Sequence, residues 1–187
     1  MLAYSAVAHA GYALLGVLAS ERGLASVIFY TATYALTTLG AFGVVAVVQE
    51  RVGDEKLTAF AGLSRRAPVL ALCMLVFMLS LAGIPPLAGF FGKFYVFTAA
   101  ASAGPKPLGL LWLVILALAM SVVSLYYYLQ VLKQIYVVEP AESRPALNVS
   151  AGMQLVLGLV ALGVVVLGCA PGLLLSRLQL AVQAAGF

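Results

Sequence analysis

Long apolar runs separated by short polar stretches set the pattern of this chain. A run of about 18 or more apolar residues is long enough to cross a bilayer as a helix. The first run extends from about Met1 to Ala19 and ends in a polar turn, Ser20-Glu21-Arg22-Gly23. The second covers about Leu24 to Val48. Residues 49–66 are the most polar stretch, and within it Leu57 to Leu63 suggests a short helix lying at the membrane interface. A fourth run covers about Leu108 to Val138, followed by a polar loop, residues 139–148. The last run, about Val149 to Cys169, stops at Pro171-Gly172, and residues 173–187 read as an interfacial tail with Arg177 on its polar side.

The third run, 67–104, is too long for one straight span. Its 38 residues would make a helix of about 57 Å at 1.5 Å per residue, against a hydrocarbon core of about 30 Å. It carries its own interruption: Gly83-Ile-Pro85-Pro86-Leu-Ala-Gly89. Both prolines lack a backbone donor, and the residue before a proline is pushed out of the helical region. The expectation is two helical pieces, 67–82 and 90–103, joined by non-helical backbone at 83–89, as one broken span or two tight ones.

Composition turns this pattern into a fold class. Of 187 residues, 64% are hydrophobic and 9% charged, with a mean hydropathy of +1.13. Ordinary soluble domains have about 25% charged residues. The fold expected is all-α: a single transmembrane domain over 1–187, a polytopic helix bundle with one discontinuous helix. A span beginning at residue 1 without a flanking loop or signal-peptide features leads us to expect a piece of a longer chain.

The net charge of +4 comes from basic residues scattered in loops, a topology signal rather than a nucleic-acid footprint. If 67–104 crosses once, six basic residues (Arg51, Lys56, Arg65, Arg66, Lys133, Arg144) face one side and three (Arg22, Lys106, Arg177) the other. If it crosses twice, Lys106 and Arg177 exchange sides with Lys133 and Arg144, and the split is again six against three. The positive-inside tendency puts the start of the chain in the cytoplasm in either case, and the expectation taken is five crossings, with the end outside. Cys73 and Cys169 sit inside apolar runs with no metal spacing, and read as small buried hydrophobes.

Candidate chemistry centres on Lys93, just after the proline break. A lysine near a helix centre costs about 2.5–3.5 kcal/mol to insert, and broken membrane helices surround sites because their freed backbone groups need partners. Lys93 reads as a proton carrier, against the bland alternative of snorkelling to the interface. His9, the single histidine, shares a helical face with Ser5 and Tyr12 and suits a proton relay or a structural contact. Tyr30, Tyr34, Thr37 and Thr38 form one polar stripe; Ser121, Ser124 and Tyr128 form another, with Gln130 and Lys133 beyond. Such stripes either line a hydrated path or make interhelical hydrogen bonds. Lys133 reads as a snorkelling anchor or a second relay. Dinucleotide and phosphate-loop glycine motifs, a catalytic triad signal and a pair of axial histidines are all missing from the sequence, so no redox centre is expected in this chain.

Three segments carry a family resemblance. Met1-Leu-Ala-Tyr-Ser-Ala-Val-Ala-His-Ala-Gly-Tyr12 resembles the AYSS-x-x-H-x-GY motif of the antiporter-like subunits of respiratory complex I. The stretch Leu79 to Tyr95 resembles that family's broken-helix motif, and Leu125-Tyr-Tyr-Tyr-Leu129 is most similar to its subunit N branch. The resemblance implies the C-terminal part of a subunit of about fourteen helices built as two inverted five-helix repeats. It implies that Lys93 translocates protons and that His9 is a relay, with Lys133, Tyr12, Ser124 and Tyr128 as further candidates and Gly83, Pro85, Pro86 and Gly89 forming the break. The family often has an arginine where this chain has Gln130, for which Lys133 would substitute.

The implied function is that of a membrane-arm subunit of a proton-pumping NADH:quinone oxidoreductase in a bacterial inner membrane, among other membrane-arm subunits and lipid, with no nucleic-acid partner. NADH, FMN, iron–sulfur clusters and quinone would belong to other subunits. The alternatives are a multi-subunit cation/proton antiporter of the Mrp type, a membrane-bound hydrogenase, or a structural subunit that has lost transport.

Overall fold

Every apolar run becomes helix in the computed structural model, which describes residues 1–19, 21–103, 109–140 and 146–185. The helices are α1 (Leu2–Leu18), α2 (Glu21–Val52), α3 (Leu63–Arg66), α4 (Pro68–Ala82), α5 (Ala88–Ala101), α6 (Leu111–Tyr136), α7 (Ala151–Cys169) and α8 (Gly172–Ala184), with a 3₁₀ turn at Leu57–Phe60 before α3. The described residues contain no strand. Gly23–Val52, α6 and α7 are each long and apolar enough to cross a membrane, whereas α1 and α4 are shorter apolar helices.

Several elements differ from the sequence reading. The polar turn after α1 is shorter, because Glu21 to Gly23 already form the first turn of α2; Ser20 lies outside the described residues. Gly23 permits this: a Cβ there would strike the backbone carbonyl of Gly16. The 57–63 stretch is not one interfacial helix. It is a 3₁₀ turn that buries Ala59 and Phe60, and Gly62 at φ +64 then redirects the chain into α3. Cys73 is buried as expected, but Cys169 is exposed at the end of α7. The reading that placed the start of the fourth run at Leu108, and the loop charges Lys106 and Arg144, fall outside the described residues.

α2 is the spine. At 32 residues it is about 48 Å long. Phe77 of α4 lies over Gly40, and Ser80 meets Thr37. Gly92 of α5 then abuts Tyr30 and Thr33, and Tyr95 packs edge-on against Phe29. As residue number rises along α4 and α5 it falls along α2. The two pieces therefore run in one direction, antiparallel to α2, as one interrupted helix rather than a hairpin. α7 follows the same sense: Leu157 reaches Gly43, Gly163 reaches Leu36, and Gly168 ends against the backbone of Pro86, Leu87 and Ala88 at the break.

Two apolar cores flank the break. One gathers Val44, Val48, Leu70, Met74, Phe77, Met78, Ile135 and Val164. The other gathers Tyr12, Leu15, Val96, Phe97, Ala100 and Val114. The buried polar side chains His9, Thr33, Thr37, Ser80 and Lys93 lie around the junction. Outward faces stay apolar: Leu14, Leu39, Trp112, Ile115, Val122, Leu155 and Leu159 are exposed, as for helices solvated by lipid.

Candidate functional site

The site begins with how α4 ends. Pro68 opens that helix at a position where its missing donor is harmless. At the other end Gly83 takes φ +85; its N–H bonds Ser80 O, and Ile84 N–H bonds Leu79 O. This is the double closure in which a left-handed glycine terminates a helix. It still leaves Leu81 and Ala82 with last-turn carbonyls pointing along the axis, the negative end of the helix dipole.

Lys93 occupies that position. Its Nζ donates to Leu81 O at 2.8 Å, to Ala82 O at 3.3 Å and to Ser121 Oγ of α6 at 2.9 Å. An ammonium has three donors, and all three are engaged. The start of α5 is satisfied reciprocally: Gly89 N–H donates to Ser80 Oγ at 3.1 Å. Each half of the broken helix thus receives a partner for its free backbone groups from the other half. Lys93 is 5% exposed, so it does not snorkel. Close packing of α5 on α2 at Gly92, where a Cβ would sit 2.9 Å from the Tyr30 ring, holds the lysine at this depth.

His9, 4% exposed, forms a second cluster. Its Nδ1 lies 2.7 Å from Tyr30 OH and its Nε2 3.3 Å from Tyr128 OH, which in turn is 2.5 Å from Ser5 Oγ. A hydroxyl both donates and accepts, so either imidazole tautomer finds both partners. Tyr34 stacks on the ring at 4.5 Å between centroids. Tyr12 stands between the clusters. Its ring is 5.6 Å from that of His9 and 5.4 Å from Lys93 Nζ, and its buried hydroxyl faces Ser121 and Ser124 without reaching hydrogen-bond geometry to either.

Most of the candidates read from sequence therefore converge: Lys93, His9, Tyr12 and Tyr128, with Ser124 at the edge bonded to Met120 O and Gly83 and Gly89 at the break. Pro85 and Pro86 are exposed on its outer side. Lys133 does not join them. It is exposed near the end of α6, about 18 Å along the helix axis from Ser121, and Gln130 is half-buried between. The sequence reading missed Ser80, and it left the two carbonyls unassigned. A lone hydroxyl three residues before the helix-ending glycine was the available signal. Among the described residues no group of three or more His, Cys, Asp or Glu is placed to hold a metal ion.

Comparison with known proteins adds a second line. Residues 1–124 match the family described as NADH:quinone oxidoreductase/Mrp antiporter, TM. The chain is 53% identical over 180 residues to NADH-quinone oxidoreductase subunit N 2 of Acidobacterium capsulatum, covering 96% of this chain and 36% of that protein. It is 42% identical over 184 residues to subunit N of Desulforamulus reducens, covering 98% of this chain and 37% of that one. The chain thus spans a little over a third of the length of these relatives. Among solved structures it resembles a chain of respiratory complex I from Thermus thermophilus, with 37% identity, a TM-score of 0.77 and coverage of 95% and 39% of the two chains. A chain of the Mrp complex from Dietzia sp. superimposes with a TM-score of 0.83 at 24% identity over 97% of this chain and 41% of that chain, a likeness of fold.

Proposed function

Because this chain belongs to the NADH:quinone oxidoreductase/Mrp antiporter transmembrane family, we propose that it contributes part of a proton path to the membrane arm of a proton-pumping NADH:quinone oxidoreductase. One observation carries this reading most: a buried lysine bound by the two free carbonyls of a broken helix, beside a histidine linked to tyrosine hydroxyls. An apolar structural core gains nothing from that arrangement, since burying the charge is costly. A proton carrier needs it, because both the charged and the neutral amine must be accommodated in place. In this reading Lys93 takes up and releases the proton, His9 relays it, and Tyr12, Ser124 and Tyr128 are hydroxyls along the way. Lys133, remote and exposed, serves as an anchor at the membrane surface.

NADH, FMN, iron–sulfur clusters and quinone are the business of other subunits in this reading, and the partners of this chain are other membrane-arm subunits and lipid. The chain crosses a bacterial inner membrane five times, as α1, α2, the α4–α5 pair, α6 and α7, starting on the cytoplasmic side. The similarity to relatives named as subunit N favours the quinone enzyme over an Mrp-type antiporter, for which the likeness is one of fold.

The deciding experiment is Lys93→Met in the full-length subunit within its assembly. Reconstituted vesicles should show a lower proton-to-electron ratio with the assembly intact. An unchanged ratio and an unchanged quinone reductase rate would sink the role of Lys93. Purification with a cation antiporter's subunits instead of flavin and iron–sulfur partners would reassign the complex.

A further inference from the structure

The two polar clusters of the site are close, yet no hydrogen bond joins them. Every donor of Lys93 is taken by Leu81, Ala82 and Ser121. Both ring nitrogens of His9 face the hydroxyls of Tyr30 and Tyr128. Two cavities follow the same division. A cavity of about 340 Å³ touches Lys93, Gly83, Phe94, Phe97 and Ser121. A much smaller one, about 10 Å³ and so on the margin of holding one water, touches His9, Tyr30, Thr37 and Ser80. Those two cavities share no lining residue, and Tyr12 lines neither.

Tyr12 stands between the two side-chain clusters. Its ring packs edge-on against His9 on one side and Phe97 on another, with the Lys93 ammonium over its face. A cation over an aromatic face is attracted by the ring quadrupole, so charging and discharging Lys93 changes what holds the ring. Its hydroxyl is the unusual part. The residue is 4% exposed, and the hydroxyl is buried without a hydrogen-bond partner. Buried hydroxyls are nearly always bonded, and an unbonded one calls for a second position or a water that satisfies it. Ser121, which already binds Lys93, and Ser124 lie in front of it.

We propose that Tyr12 is the gate between the two clusters, its ring insulating Lys93 from His9 and its hydroxyl forming the crossing point when it turns onto Ser121. In the open position Tyr12 passes its hydroxyl proton to Ser121, and Ser121 passes its own to the neutral Lys93 amine. His9, charged by an earlier proton, gives that proton up to restore the phenol and returns to neutral imidazole. Lys93 gains one proton, the His9 side loses one, and Tyr12 and Ser121 end as they began. This rests on the reading of Lys93 as a proton carrier and adds what stops the proton from passing at all times.

The test uses the intact assembly in vesicles, with Tyr12→Phe, Tyr12→Ser and Lys93→Met compared. Tyr12→Phe keeps the ring and removes the crossing point. Its proton-to-electron ratio should fall to that of Lys93→Met, with passive proton leak at the wild-type level. Tyr12→Ser removes the insulation, and passive leak with the enzyme inhibited should rise at least tenfold. A wild-type ratio in Tyr12→Phe, or a wild-type leak in assembled Tyr12→Ser, overturns the gate. If Tyr12→Ser fails to assemble, Tyr12→Phe decides alone. A wild-type ratio in Lys93→Met overturns the underlying reading instead, so the two failures are distinguishable.

Discussion

At the scale of single residues, what matters is whether a polar group has an alternative to its partner. Arg65 and Glu139 form an ion pair at 3.0 Å, but both side chains are about three-quarters exposed. Water and salt replace such a pair readily, so Arg65→Ala should change stability by no more than about 1 kcal/mol. Ser80 is the opposite case. It is fully buried, it accepts the Gly89 N–H at the start of α5, and it meets Thr37 Oγ1 at 3.4 Å. Ser80→Ala leaves a backbone donor without a partner, which costs about 1–3 kcal/mol. Thermal inactivation of the purified assembly in detergent should separate the two, with a clear fall in midpoint for Ser80→Ala and little for Arg65→Ala. Lys93 was conspicuous in the sequence because a charge in an apolar run stands out locally. Ser80 was not, since its partners lie nine residues ahead and forty-three behind. Nor could spacing reveal that Lys133 faces outward: a residue near the end of a span can point either way until packing decides.

At the scale of elements, the break between α4 and α5 was readable almost to the residue, because glycine and proline act through their own backbone. The expected interruption at 83–89 compares with helices ending at Ala82 and resuming at Ala88. What the local pattern could not convey was the third party. Gly168, in the last turn of α7, sits so close to the break that a Cβ would collide with Pro86 O and Ala88 N. Backbone atoms cannot step aside as a flexible side-chain tip can. Gly168→Val should therefore push α7 off the break and disturb the ammonium's carbonyl partners, lowering both assembly yield and pumping. Gly158→Ala, in the same helix with open space around it, should do neither. Western quantification of the assembled complex together with vesicle acidification checks both. The interfacial helix expected at 57–63 failed for a related reason. Its apolar residues suited a surface helix, but the left-handed turn at Gly62 and the bond from Gly62 N–H to Gln134 O fold it inward.

At the scale of the whole molecule, the basic loops obey a geometry that the charge count could not decide. Gly62 bonds Gln134, Leu147 N–H bonds Arg66 O, and Arg65 pairs with Glu139. The segment after α2 and the segment after α6 therefore lie at one end of the bundle. The five-crossing topology requires this, since it assigns both to the cytoplasm. A cysteine label at Gly53 and another at Glu139, in a Cys169→Ser background, should react from the cytoplasmic face alone, and one at Ala184 from the opposite face. Labelling of Gly53 and Glu139 from different faces would rule that topology out. The apolar outer faces were legible as such in the sequence. Which of them meet lipid and which would meet the neighbouring subunits proposed above was not, because both environments favour the same side chains.

The attachment of Lys93 to α4 has a mechanical consequence. Hydrogen bonds from a charged donor are roughly twice as strong as neutral ones, and two of the three made by this ammonium end on backbone carbonyls. In the role proposed for Lys93, release of its proton weakens the tie of those carbonyls to α5. The same event that discharges the site thus slackens the joint between the two half-helices, and recharging draws it tight again. In that role the lysine is a latch on the joint that holds it, and ion occupancy and backbone tension become one variable.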